Sequence, residues 1–141
     1  LAATRSRFLS SLRRVDAALG STAGPWFLGG RAPSIVDLQY VSHVERMAAS
    51  VLYWKGLDIR RPGDFPNLER WLVALEERPT YLATKSDYYT HAMVLPSQNG
   101  PGYGTDEARD PAARIFGMDG AWRIPCELPD DALEPLALLQ A

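Results

Sequence analysis

Residues 29–41 read GGRAPSIVDLQYV, in which two glycines and a proline lead through a Ser-x-x-Asp box directly into an apolar run. The run extends to about Tyr53 and predicts a helix whose first residues follow Ser34. Ser34 then stands at the cap, its hydroxyl placed to accept the free backbone N–H of Asp37, while the Asp37 carboxylate reaches back to the N–H of Ser34. At 100° per residue, Val36, Tyr40, Val41, Val44, Met47, Ala48 and Val51 fall within one arc, and Asp37 falls near its middle. Gln39, Ser42, Arg46 and Ser50 occupy the opposite face. A carboxylate directed into a core is costly unless it is fully hydrogen-bonded, and the helix start supplies both donors and a favourable dipole. A group held in that way has a lowered pKa and no route to a substrate. Ser34 and Asp37 are therefore read as a structural capping box, and the chain offers no catalytic residue of its own.

The surrounding sequence is consistent with a helical protein. In residues 5–19, Phe8, Leu12, Val15 and Leu19 recur on one helical face, and Gly20 is a plausible stop. The stretch GSTAGPWFLGG is too rich in glycine for a helix, and its Trp26, Phe27 and Leu28 predict a loop pinned onto a core. Neither GxxxxGK[ST] nor GxGxxG spacing is present, so the glycines form no recognisable phosphate cradle. Pro66 opens a third helix marked by Leu68, Trp71, Leu72 and Leu75. Arg78-Pro79 ends it, because a residue before proline is disfavoured in the helical region.

The 141 residues carry 46% hydrophobic residues and a formal charge of -2, the balance of a soluble globular chain. Charged residues interrupt every apolar stretch, so no membrane span is expected. Residues 1–20 hold four arginines against Asp16, and residues 105–141 hold eight acidic residues against three arginines. An acidic total without a Lys/Arg run makes a poor nucleic-acid track, and no nucleic-acid partner is expected. The single cysteine, Cys126, excludes an internal disulfide and fits a reducing, intracellular compartment. His43 and His91 share no metal-ligand spacing with each other or with Cys126, so no metal site is expected.

Two segments in order, GPWFLGGRAPSIVDLQYVSHVERM and FPNLERWLVALEERPTY, resemble the C-terminal all-helical domain of the glutathione transferase superfamily. The resemblance covers residues 5 to about 84. It implies an all-α helical bundle, in which the Ser34–Asp37 box serves folding. Pro33 departs from the family in standing where many members place an aliphatic staple residue. In that family a thioredoxin-like N-terminal domain binds glutathione and supplies the catalytic residue, so this chain alone is expected to bind no cofactor, with glutathione the co-substrate of a full-length member. The 5–19 helix resembles the second helix of the family domain. Together with a start at Leu1, this leads to the expectation of a partial or processed chain. Another protein chain, or a missing N-terminal domain, is then expected to cover the 5–19 helix.

Residues 1–84 are thus taken as the helical domain and residues 85–141 as a loop-rich extension. In the extension KSDYYTHAMVLPSQNGPGYG reads as an aromatic segment followed by a Gly/Pro loop. With GAWRIP and LEP it resembles an extension of transferase-like proteins from cyanobacteria and plastids, which favours plastid over cytoplasm. Tyr88, Tyr89 and His91 are candidates to line an apolar-substrate pocket, or else to anchor the tail to the helices. Asp110-Pro111 suggests a short helix near 110–116. Residues 118–141, with prolines at 125, 129 and 135, read as an extended run with Trp122 and Ile124 on one side. Two functional classes remain open: the helical half of a glutathione-dependent enzyme, and a non-catalytic scaffold or interaction subunit.

Overall fold

The computed structural model describes residues 2–100 and 102–116. Among them are six α-helices and no strand: α1 Ala2–Gly20, α2 Ile35–Lys55, α3 Pro66–Glu76, α4 Pro79–Leu82, α5 Tyr88–Asn99 and α6 Arg109–Ile115, the last preceded by a 3-10 turn at Asp106–Ala108. The all-α class expected from the sequence is the one found. The expected extended run over 118–141, with Trp122, Ile124 and Cys126, lies outside the described residues.

The described residues divide into two compact units, one gathering residues 2–44 and 59–85, the other residues 45–58 with 86–100 and 102–116. This grouping differs from a boundary at residue 84 in assigning the last half of α2 to the second unit. The first unit contains α1, α3 and α4 with the beginning of α2. Leu12 and Leu19 of α1 are buried with Trp26, Val41, Val44, Phe65, Leu68, Trp71, Leu72 and Leu75, whereas Phe8 and Val15 are half-covered. Leu12 and Leu19, half of the expected apolar face of α1, are therefore buried within the chain, while Phe8 and Val15 keep part of their surface open. Trp26 enters the core as the loop reading requires, but Leu28 is 70% exposed.

α3 begins at Pro66 and its N-cap, Phe65, has no side chain able to cap. Asp16 of α1 fills that role from a distance in sequence. Its Oδ1 accepts the backbone N–H groups of Asn67 at 2.8 Å and Leu68 at 2.9 Å, and its Oδ2 accepts the Asn67 side-chain amide at 3.0 Å. A carboxylate at a helix start satisfies free donors and complements the dipole. On the loop before α3, Arg60 is buried and forms bidentate pairs with Glu69 and Glu76 of α3; Lys85 adds a second cation to Glu76 at 2.6 Å.

In the second unit, α2 is buried on more sides than one apolar arc predicts. Ala48, Ala49 and Leu52 are joined in burial by Glu45 and by Ser50, which the sequence pattern assigned to the exposed face. Residues 88–99 form α5, a helix where an aromatic segment and loop were expected. Asp87 caps it by accepting the N–H of Thr90 at 2.7 Å, and Tyr88 and Ala92 face inward. Pro96 lies inside this helix. It has no amide to give to the carbonyl of Ala92, four residues earlier, and the indole Nε1–H of Trp54 takes that place at 3.2 Å. Gly56 has φ +62, and a Cβ there would lie 2.1 Å from the backbone oxygen of Glu107, so only glycine fits. The short helix near 110–116 exists, but it starts at Arg109. Asp110 and Pro111 lie within its first turn, and Ala108 is its N-cap, in place of the expected Asp110 cap.

Candidate functional site

Asp37 sits in the first turn of α2 and has no exposed surface. Its Oδ2 accepts the backbone N–H of Ser34 at 2.7 Å and the Ser34 hydroxyl at 2.6 Å. Its Oδ1 accepts the backbone N–H of Phe27 at 3.0 Å and the Trp71 indole N–H at 2.9 Å. The Ser34 hydroxyl thus donates to the carboxylate, whereas the sequence reading had it accept from the Asp37 amide. The backbone oxygen of Ser34 accepts the Leu38 N–H at 3.1 Å and opens the helix. Burial alone would raise the pKa of Asp37. The hydrogen bonds from Ser34, Phe27 and Trp71 outweigh it and hold the carboxyl below its ordinary value. Both oxygens are occupied and neither meets solvent, an arrangement that secures a loop and a helix but presents no base to a substrate.

Aromatic rings surround this carboxylate. Phe27 meets Tyr40 and Trp71 edge-on, each at 5.6 Å between centroids, and Tyr40 lies 6.2 Å from Trp71. On the outer side of that cluster a cleft of about 500 Å³ opens between α1 and the start of α2. Val15, Ala18, Phe27 and Val36 make its apolar walls, and Ser11, Arg14 and Tyr40 bring polar groups to it. Burial raises the Tyr40 pKa, so its hydroxyl stays protonated at neutral pH. The sequence pattern placed Val36 and Tyr40 in the core arc. Val36 is instead 42% exposed and Tyr40 half-buried, because α1 and α2 leave a gap there. Nothing in the sequence signals that gap.

Tyr88, Tyr89 and His91 follow one another on α5 but serve different contacts. Tyr88 is buried, Tyr89 meets Phe116 edge-on at 5.5 Å, and His91 Nε2 lies 3.3 Å from Glu45 Oε2. Burial, reinforced by Tyr89, raises the pKa of Tyr53. None of the three lines the α1/α2 cleft, nor a second cleft of about 330 Å³ between the end of α2 and α5. Among the described residues no cluster of His, Cys, Asp or Glu is arranged to hold a metal ion, and no helix is long and apolar enough to cross a membrane.

The family model described as glutathione S-transferase, C-terminal domain, matches residues 1–74. The chain belongs to this family. The match takes in α1, α2 and nearly all of α3, and with them Ser34, Asp37 and the α1/α2 cleft. Tyr88, Tyr89 and His91 lie beyond it. Searches of curated proteins and of solved structures returned no match. For the glutathione S-transferase domain, the order of motifs in the sequence and the helical architecture therefore agree.

Proposed function

We propose that this chain is the helical half of a glutathione transferase-like protein, in which the α1/α2 cleft receives an apolar substrate and a thioredoxin-like domain supplies the glutathione site. The observation that carries this reading is the cleft itself. Its volume suits a small ligand, its walls are apolar, and its few polar groups form no hydrogen bond among the described residues. The Tyr40 hydroxyl and the Arg14 guanidinium are available to orient what enters. The chain's own residues bind and position; chemistry on glutathione belongs to groups outside them. A reducing compartment, cytoplasm or plastid, suits a single-cysteine protein of this kind.

Titration of the 141-residue chain with the neutral probe N-phenyl-1-naphthylamine tests the proposal. Saturable fluorescence enhancement that Ala18→Trp reduces, by filling the cleft from an exposed helical position, is the expected result. Enhancement of unchanged amplitude and affinity in Ala18→Trp would remove the cleft from consideration.

A second reading, a scaffold or interaction subunit, draws on a different observation. Ile35 is 65% exposed and Leu38 is 53% exposed at the start of α2, close in sequence to Leu28. Large apolar side chains grouped in this way mark contact surfaces. Sedimentation of the chain separates the readings: concentration-dependent association reversed by Ile35→Ser with Leu38→Ser favours the scaffold.

A further inference from the structure

We propose that the second cleft, formed in the unit that holds the end of α2 and α5, binds a planar aromatic acid. The cleft has a volume of about 330 Å³, room for a ligand of one or two rings, and much of it lies on residues beyond the family match. Its principal wall is Trp54. That ring is fixed before any ligand arrives, because its Nε1–H is held by the carbonyl of Ala92, which Pro96 leaves without a helical donor. Tyr53 packs against it edge-on at 4.9 Å. The backbone of Gly102 lies so close that a Cβ at that position would come within 2.8 Å of three indole carbons. A rigid aromatic surface loses little freedom when a flat ligand stacks on it.

Two further residues define what the surface accepts. Tyr103 is 74% exposed, a large aromatic side chain left in water beside the Trp54 wall. Lys55 is half-buried at the same cleft and donates to the backbone oxygen of Tyr103, and among the described residues it forms no ion pair. An ammonium has three hydrogens, so two remain for an incoming acceptor. Its position in the last turn of α2 complements the helix dipole. That accounts for a cation there, but not for the two aromatic residues beside it. Aromatic walls with one cation that forms no ion pair among the described residues select a flat apolar body carrying a carboxylate or sulfonate, and they disfavour a cationic ligand.

The test titrates the 141-residue chain with 2-naphthoate and with the neutral 2-naphthalenemethanol, following tryptophan emission and heat. Naphthoate is expected to bind saturably and more tightly than the alcohol, with the preference shrinking as salt is raised. Trp54→Phe removes the emission change. Lys55→Gln weakens naphthoate by about tenfold and leaves the alcohol within twofold, while Lys55→Arg restores the preference. Ala18→Trp, which closes the α1/α2 cleft, leaves naphthoate binding unchanged. Equal affinity for acid and alcohol in the parent chain, a salt-independent preference, or loss of naphthoate binding in Ala18→Trp would each overturn the proposal, and the first two need no variant to fold.

Discussion

Trp71 donates its indole N–H to Asp37 across 34 positions of sequence, so the carboxylate at the start of α2 also anchors α3. Replacing Asp37 by Ala removes more than a helix cap. A lost cap costs about 1 kcal/mol, and each buried donor left without a partner, here Phe27 N–H and Trp71 Nε1–H, adds about 1–3 kcal/mol. Asp37→Ala is expected to lower the urea midpoint accordingly. An unchanged midpoint would show that the bonds contribute nothing.

The same carboxylate gives stability a definite pH dependence. Its folded pKa lies below the ordinary value, so the unfolded chain takes up the proton first as pH falls. Its contribution is complete above the unfolded carboxyl pKa of about 3.9 and disappears as pH drops through the lower folded value. Thermal unfolding between pH 2 and 7 should show a loss below about pH 4 that is smaller in Asp37→Asn. Identical acid limbs for parent and variant would contradict this assignment.

Arg60 and its acidic partners respond unequally to substitution. The Arg60 side chain is 5% exposed and that of Glu76 is 13% exposed, whereas Glu69 is 36% exposed. Arg60→Ala removes both bidentate pairs at once, with Lys85 still on Glu76, and is expected to cost about 1.5–3 kcal/mol. Glu69→Ala loses a partly solvated pair and should cost about 1 kcal/mol or less. Chemical denaturation of the two variants measures the ranking, and equal losses would refute it.

Pro96 and Trp54 should be energetically coupled through the carbonyl of Ala92. Trp54→Phe deprives that carbonyl of its donor, at a cost of about 1–3 kcal/mol in addition to changed packing. In a Pro96→Ala background a new amide at position 96 serves the same carbonyl, so the penalty for Trp54→Phe shrinks. A double-mutant cycle reads the difference directly. Strict additivity would mean that the indole bond carries no weight.

Glutathione is expected not to bind the 141-residue chain by itself. The α1/α2 cleft presents apolar walls and one guanidinium, without the array of backbone and charged donors that a tripeptide with two carboxylates and an ammonium requires. Calorimetry at millimolar glutathione should show no saturable heat; a saturable isotherm would overturn this expectation.

What the sequence reveals here is local. Leu68, Trp71, Leu72 and Leu75 announce α3 because their spacing and the preceding Pro66 act within a few residues of one another, and all four are buried. The inward direction of Asp37 follows from helical geometry alone. Its partners do not, since Phe27 and Trp71 are brought to it by the path of the whole chain. Ser50 and Glu45 look like surface residues until the segment beyond residue 85 returns against the end of α2. Pro96 hides the helix at 88–99 in the sequence, and the Asp87 cap is the local signal that marks its start. Clefts are harder still to foresee, because a gap depends on which side chains fail to meet.

The cap that Asp16 provides for α3 has a consequence for the order of events in folding. An eleven-residue helix is marginal in isolation. α3 also lacks a capping side chain of its own and must wait for a carboxylate 51 positions upstream. On the ribosome α1 emerges before α3, carrying a cap for a helix not yet synthesised. Helicity in α3 is then expected to be gained on docking instead of before it, with closure of that long loop preceding the completed cap. Asp16 thereby acts as a checkpoint: the third helix of the bundle is completed only when the first is already in place.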